Sequence, residues 1–147
     1  MAVFAVDTSC MIAAVCTWHE HHAAAAGEIE RRLGRRERMA IPAPALVEAY
    51  AVLTRLPAPH RLAPADAWTL VYTNFVERRQ VVALTSRLYA DVLNDLVRQA
   101  LGGGRAYDAV IAACARHARA DILLTFNTRH FDPAPKGVLV VEPALSA

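Results

Sequence analysis

The chain reads as an α/β fold: a parallel sheet with helices packed on both faces. Three observations predict it. Short apolar runs alternate with longer segments of helical periodicity along the whole chain, as βα units require; their strands are covered on both faces and lose the apolar–polar alternation of an exposed sheet. With 147 residues, 55% of them hydrophobic, the chain is long and apolar enough to bury a core without disulfides. The polar residues that stand out, Asp7, Glu48, Asp108 and Asn127, follow apolar runs or open helices, and sites in open parallel sheets form outside the carboxyl ends of the strands.

The elements follow in order. Val3–Val6 is a buried first strand ending at Asp7, and Thr8 and Ser9 supply cap chemistry for a helix from about Cys10. A second helix is expected over residues 19–33, with Ala23, Ala26, Ile29 and Leu33 on one stripe and Gly34 ending it. Residues 39–41 form a weak second strand. Pro44 suits the first position of a helix reaching Leu56, with Glu48 in its second turn. Pro57, Pro59 and Pro64 bracket a loop before a helix over 65–78, whose Trp68, Val71, Tyr72 and Phe75 share a stripe. Residues 81–84 make a third strand, and Thr85 or Ser86 caps a helix carrying Leu88, Val92, Leu96 and Val97. Gly102, Gly103 and Gly104 break it ahead of a helix over 106–119. Residues 122–126 and 138–141 are the last strands, with a turn at Asp132-Pro133-Ala134-Pro135 between them. Without linker, repeat or low-complexity tail, residues 1–147 are expected to form a single domain.

Bulk properties narrow the setting. The net charge of +2 gives no strong nucleic-acid signature, and the cations are nearly all Arg, Lys136 being the single Lys. Arg suits bidentate phosphate contact, although the joint abundance of Ala and Arg reads first as compositional bias. Cys10, Cys16 and Cys114 are an odd count without metal-type spacing, which fits a reducing cytosol. Nothing approaches the roughly 18 apolar residues of a membrane span, and the apolar start is too short for a signal core. A cytoplasmic protein without membrane association is expected.

Asp7 ends a strand, Glu48 lies early in a helix, and Asp108 opens another, where the dipole favours negative charge. Helices that follow strands begin at the same sheet edge, so the three acids are expected to converge. Gathered carboxylates repel unless protonated or neutralised by a cation, and oxygen-only ligands suit magnesium or manganese rather than zinc. Such an ion polarises phosphoryl oxygens and activates water, which points to phosphodiester chemistry. Each acid also has a plainer reading: Asp7 as a turn former or helix cap, Glu48 as a solvated charge, Asp108 as a first-turn dipole partner.

The set resembles the PIN domain and, within it, the VapC-type toxin ribonucleases. The matching stretches are Val6-Asp7-Thr8-Ser9, Pro44-Ala45-Leu46-Val47-Glu48, Tyr107-Asp108 with the Ala-rich run to Ala115, and Leu124-Thr125-Phe126-Asn127-Thr128-Arg129-His130-Phe131. The resemblance implies a three-layer α/β/α sandwich with a central, mostly parallel five-stranded sheet, and magnesium-dependent endoribonuclease activity, with manganese a possible substitute. It carries metal ligation onto Asp7 and Asp108, the acidic cluster onto Glu48, and the fourth catalytic position onto Asn127. Many relatives have Asp there; Asn adds no charge, which favours one metal ion over two. The resemblance also implies an RNA substrate, a cognate antitoxin and a homodimer. Rival readings are an RNA-processing nuclease without antitoxin and a non-catalytic binding module.

Other candidates rank lower. Asp121 begins its strand and belongs at the opposite sheet edge. Thr8, Ser9 and Thr125 can orient carboxylates. Arg105 and Arg129 flank the expected site and suit phosphate, whereas Arg31, Arg32, Arg35, Arg36 and Arg38 read as a solvated helix end. His19, His21 and His22 lack the i,i+4 spacing of a zinc pair on a helix and read as incidental surface residues. Trp68, Tyr72 and Phe75 read as core or dimer packing, and the three glycines, without a following Lys-Ser/Thr, as a hinge.

Overall fold

The computed structural model describes residues 1–145; Ser146 and Ala147, the end of the expected 1–147 domain, lie outside the described residues. Five strands, β1 (Val3–Val6), β2 (Arg38–Pro42), β3 (Gln80–Val82), β4 (Ile122–Leu124) and β5 (Leu139–Val141), form one sheet in the order β3-β2-β1-β4-β5. Each of the four pairings is parallel, with Phe4 beside Met39 on one flank and Ile122 on the other. Six helices connect them: α1 (Thr8–Val15), α2 (His22–Gly34), α3 (Ala43–Arg55), α4 (Pro64–Phe75), α5 (Ser86–Arg98) and α6 (Arg105–His117).

The topology decides where a site can form. The β1→β2 and β2→β3 connections travel one way across the sheet, and the β3→β4 connection travels back. Right-handed crossovers put the two directions on opposite faces, which gives the three-layer sandwich: α1 packs on α2 and α3, and α5 on α6. The order reverses between β1 and β4, leaving a crevice at their carboxyl ends. Phe4, Val6, Met11, Ile41, Leu53, Val71, Leu123 and Leu124 are fully buried around this central sheet.

Several boundaries differ from the sequence reading, each for a local reason. The cap of α1 is Asp7, whose extended backbone aims its carboxylate at the Cys10 N–H, 3.1 Å away; Thr8 and Ser9 fall inside the first turn. Helix α2 starts at His22 rather than His19, because residues 17–21 turn a corner in which the His21 N–H donates to His19 Nδ1 at 3.0 Å. Pro44 is the second rather than the first residue of α3. Helix α4 stops at Phe75, short of residue 78, and Arg78 adopts a left-handed φ of 60°. Strand β4 ends at Leu124: the Thr125 N–H still donates to the Val141 carbonyl of β5 at 3.0 Å, but the Phe126 N–H on the β1 side turns to Ser9 Oγ at 3.1 Å. A 3₁₀ turn over Thr128–Phe131, absent from the sequence reading, follows.

One side-chain expectation is corrected. Arg32 is buried rather than solvated, donating to Glu37 Oε1 at 2.9 Å, pairing with Glu28 at 3.7 Å and lying 5.8 Å from the centre of the Phe4 ring. The aromatic stripe on α4 divides: Val71 and Phe75 enter the core, while Trp68 and Tyr72 remain 49% and 44% exposed. Among the described residues no helix is long and apolar enough to cross a membrane.

Candidate active site

The crevice between β1 and β4 is closed from below by hydrogen bonds around Asp7. Its Oδ1 accepts from Ser9 Oγ at 2.6 Å and from the Cys10 N–H, and its Oδ2 accepts from Thr125 Oγ1 at 2.6 Å. Thr125, fully buried at the end of β4, also accepts the Asn127 N–H at 2.9 Å, which sets the start of the next turn. An ionised carboxylate has about four lone-pair directions. Three are taken here, so Asp7 keeps one acceptor direction for an incoming group. Asp7 is therefore the cap of the plainer reading, and its neighbours are further acids.

Glu48, in the second turn of α3, and Asp108, in the first turn of α6, are each partly exposed. Burial raises the pKa of all three acids above the usual carboxylate range, and the charge of Asp108 raises Asp7 and Glu48 further. The Asp7 charge adds to the rise at Glu48, which the Thr8 hydroxyl and Arg55 partly offset. Thr8 Oγ1 is buried with no partner inside hydrogen-bond distance, so its influence on Glu48 is that of a nearby dipole. The acids thus share one electrostatic site, although no three His, Cys, Asp or Glu side chains among the described residues stand together at ligating distance.

Two basic neighbours temper the rise at Asp108. His130 Nδ1 lies 3.4 Å from Asp108 Oδ2, and Arg105 acts in the same direction. The sequence reading placed Arg105 near the site but missed His130, which arrives through the 3₁₀ turn and left no motif of its own. Arg129 is exposed on that same turn, and among the described residues it forms no ion pair with Asp108. Asn127 is exposed and lines a cleft of about 450 Å³ with Thr8, Ser9, Glu48, His19, His21 and Phe126. Asp121 stands at the other sheet edge, accepting the Val3 N–H at 3.0 Å. A larger groove of about 920 Å³ opens on the far side of Asp108 and His130, between α5 and α6.

Comparison with known proteins places this geometry. The family model for the PIN domain matches residues 4–136. Ribonuclease VapC27 of Mycobacterium tuberculosis is 38% identical over 141 residues, 95% of this chain and 96% of that one. Ribonuclease VapC40 of the same organism is 36% identical over 121 residues, 82% of this chain and 84% of that one. Among solved structures, Mycobacterium tuberculosis VapC20, described as a sarcin–ricin loop cleaving toxin, superposes with a TM-score of 0.68 at 19% identity, covering 93% of this chain and 98% of that one. VapBC2 of Rickettsia felis, bound to a promoter DNA fragment, gives 0.68 at 16% identity over 95% and 98%. At these identities the two structures attest the fold.

Proposed function

Because the chain belongs to the PIN domain family and sets Asp7, Glu48 and Asp108 around its switch-point crevice, we propose that it is the toxin of a toxin–antitoxin pair, a magnesium-dependent endoribonuclease. The observation that carries this reading is that Asp7, Glu48 and Asp108 are each raised chiefly by burial, with the charge of Asp108 raising the other two, joined to relatives that are named ribonucleases at 36% and 38% identity. The same support favours one working unit over residues 1–147 in a reducing cytoplasm, where Cys10, Cys16 and Cys114 stay free.

The donors fit a hard cation. They are oxygen-only and electrostatically frustrated without a positive charge. Magnesium keeps several waters and needs only one or two carboxylates, so a site short of a closed trio suits it, whereas a structural zinc wants four protein ligands. Asp7 and Asp108, with Glu48, are the residues that hold the ion, and manganese can take its place. When bound, the ion polarises the phosphoryl oxygen and lowers the pKa of water.

The remaining steps belong to side chains of this chain. Ser9 and Thr125 fix the rotamer of Asp7. Glu48, whose proton affinity is raised, accepts the proton of the attacking water. Water adds in line to the phosphorus as the bond to the 3′-oxygen breaks; that oxygen takes a proton from solvent water, leaving a 5′-phosphate and a 3′-hydroxyl. Asn127 orients that water through its amide and contributes no charge, which favours a single ion. Arg105 and His130, beside Asp108, meet the phosphate of the RNA.

A free ribonuclease endangers its host, so a cognate antitoxin is the expected partner, and the α5–α6 groove opening from Asp108 offers room for a polypeptide segment. Trp68 and Tyr72 on α4 and Val47 on α3 are exposed apolar side chains suited to a homodimer, which sedimentation at twice the 16.0 kDa chain mass would register. The direct test is cleavage of structured RNA with magnesium, with chelator, and by Asp108→Asn. We expect chelator to abolish cleavage and the variant to lose about 100-fold or more. Equal rates for variant and wild type would discard the assignment.

A further inference from the structure

The corner between α1 and α2 and its neighbours carry a row of rings that the reaction described above does not use. His60, from the loop before α4, stacks on Trp18 with centroids 4.1 Å apart and planes 21° from parallel. Trp18 meets His19 at 5.9 Å, and His19 meets His21 at 5.7 Å, both tilted. His21 stacks on Phe126 at 4.5 Å and 14°. Five rings from three separate chain segments therefore follow one another. The inner end, His19, His21 and Phe126, lines the same cleft as Glu48 and Asn127. At the outer end Trp18 is 47% exposed.

A core does not explain this row, since Trp18 and His21 are exposed. Zinc does not explain it either, because no three potential ligands among the described residues stand close enough together. Planar faces with polar edges, on a path into an acidic cleft, match the chemistry of nucleobases; stacking on aromatic rings is tolerant of base identity because every base has a π-face. His19 is held below its ordinary pKa, first by burial and then by His21 and His22, which favours a neutral ring able to stack. Arg55 and Arg61, exposed near Glu48 and next to His60, supply positive charge for the phosphates between the bases. Of the exposed aliphatic side chains that a protein partner would cover, Leu93 and Val97 lie elsewhere, on α5, and Val47 on α3 is not part of the row.

We propose that the row His60–Trp18–His19–His21–Phe126 is a base-stacking track that holds unpaired nucleotides of the RNA beside the phosphate to be cut. The proposal rests on the ribonuclease reading and names the conformation of its substrate: single-stranded, with bases splayed against the α1–α2 corner.

The test uses the full chain. Trp18→Ala should raise KM for a single-stranded RNA octamer about tenfold, the loss of one stacked base, and Trp18→Phe should restore most of it. An unchanged KM, or a fall in kcat alone, would overturn the track. A second arm reads binding without turnover. Trp68→Phe leaves Trp18 as the single tryptophan of the original two. In chelator, the octamer should quench its fluorescence, and an abasic octamer with the same phosphates should not. Absence of quenching, or equal quenching by the abasic strand, overturns the proposal. Quenching by a wild-type chain that fails to cleave would sink the ribonuclease reading and leave the track standing.

Discussion

At Asp7 one carboxylate serves two masters: it caps α1 through the Cys10 N–H and it faces Glu48 and Asp108. Substitutions separate these tasks. Asn is as good a cap as Asp, so Asp7→Asn should keep the melting temperature close to that of the wild type while lowering RNA cleavage by about 100-fold or more, at least the loss that second-shell changes bring. Asp7→Ala should lose the cleavage and also about 1 kcal/mol of stability, read by urea denaturation. Thr125 adds a finer test. Its hydroxyl donates to Asp7 Oδ2 from a fully buried position, and Thr125→Val keeps the shape while removing that donor. Cleavage should fall about 10- to 100-fold. A Thr125→Val enzyme as active as wild type would mean that the orientation of Asp7 is set elsewhere.

At the scale of elements, β1 was legible because burial on both faces leaves a short uninterrupted apolar run, and Val3–Val6 needed no tertiary information. The corner before α2 was not. Residues 19–21 turn a corner in which His21 stacks on Phe126, more than 100 positions later, a contact that the local sequence does not announce. With the corner misread as helix, the three histidines were judged by helical spacing and set aside. His130 was missed for the same reason, since its meeting with Asp108 exists only once α6 and the 3₁₀ turn pack together. Arg32 failed differently: five arginines in a run of eight read as solvated, and only the return of Glu37 toward α2 shows that one of them is internal. The two strand-edge aspartates show what periodicity can decide. Asp7 and Asp121 differ in which sheet edge they occupy, and the edge follows from whether the residue follows or precedes its strand. Asp121 holds the Val3 N–H and so ties the start of β1 to β4. Asp121→Ala should cost about 1 kcal/mol for the lost hydrogen bond, measured by thermal melting, with RNA cleavage per folded molecule unchanged. A selective loss of cleavage in that variant would contradict the placement of the site at the opposite edge.

For the molecule as a whole, the acid cluster makes folding and metal binding one problem. Asp7, Glu48 and Asp108 each hold their proton more tightly in the folded chain than at the ordinary values of 3.8 for Asp and 4.5 for Glu, chiefly because burial penalises the charge. Between those ordinary values and the raised ones the native state binds more protons than the unfolded chain. Stability therefore falls as pH climbs through that window and recovers as pH drops back toward it. This is the reverse of the common case in which paired carboxylates strengthen a fold at neutral pH. A divalent ion removes the penalty by supplying the missing positive charge, and it does so only for the folded state, since the unfolded chain scatters the three acids. Its contribution follows RT ln(1 + [L]/Kd), about 2.7 kcal/mol when magnesium stands at 100 times Kd. The expected record is a metal-free protein that melts at a higher temperature just above the ordinary carboxylate range than at pH 7, and a pH 7 melting temperature that rises with magnesium. In Asp108→Asn the charge that raises both Asp7 and Glu48 is gone, so the metal-free variant should be less sensitive to pH and should gain little from magnesium. Calorimetry across pH with and without the ion checks all of this, and a wild-type stability that climbs steadily from mildly acid to neutral pH without metal would show that the three acids do not burden one another.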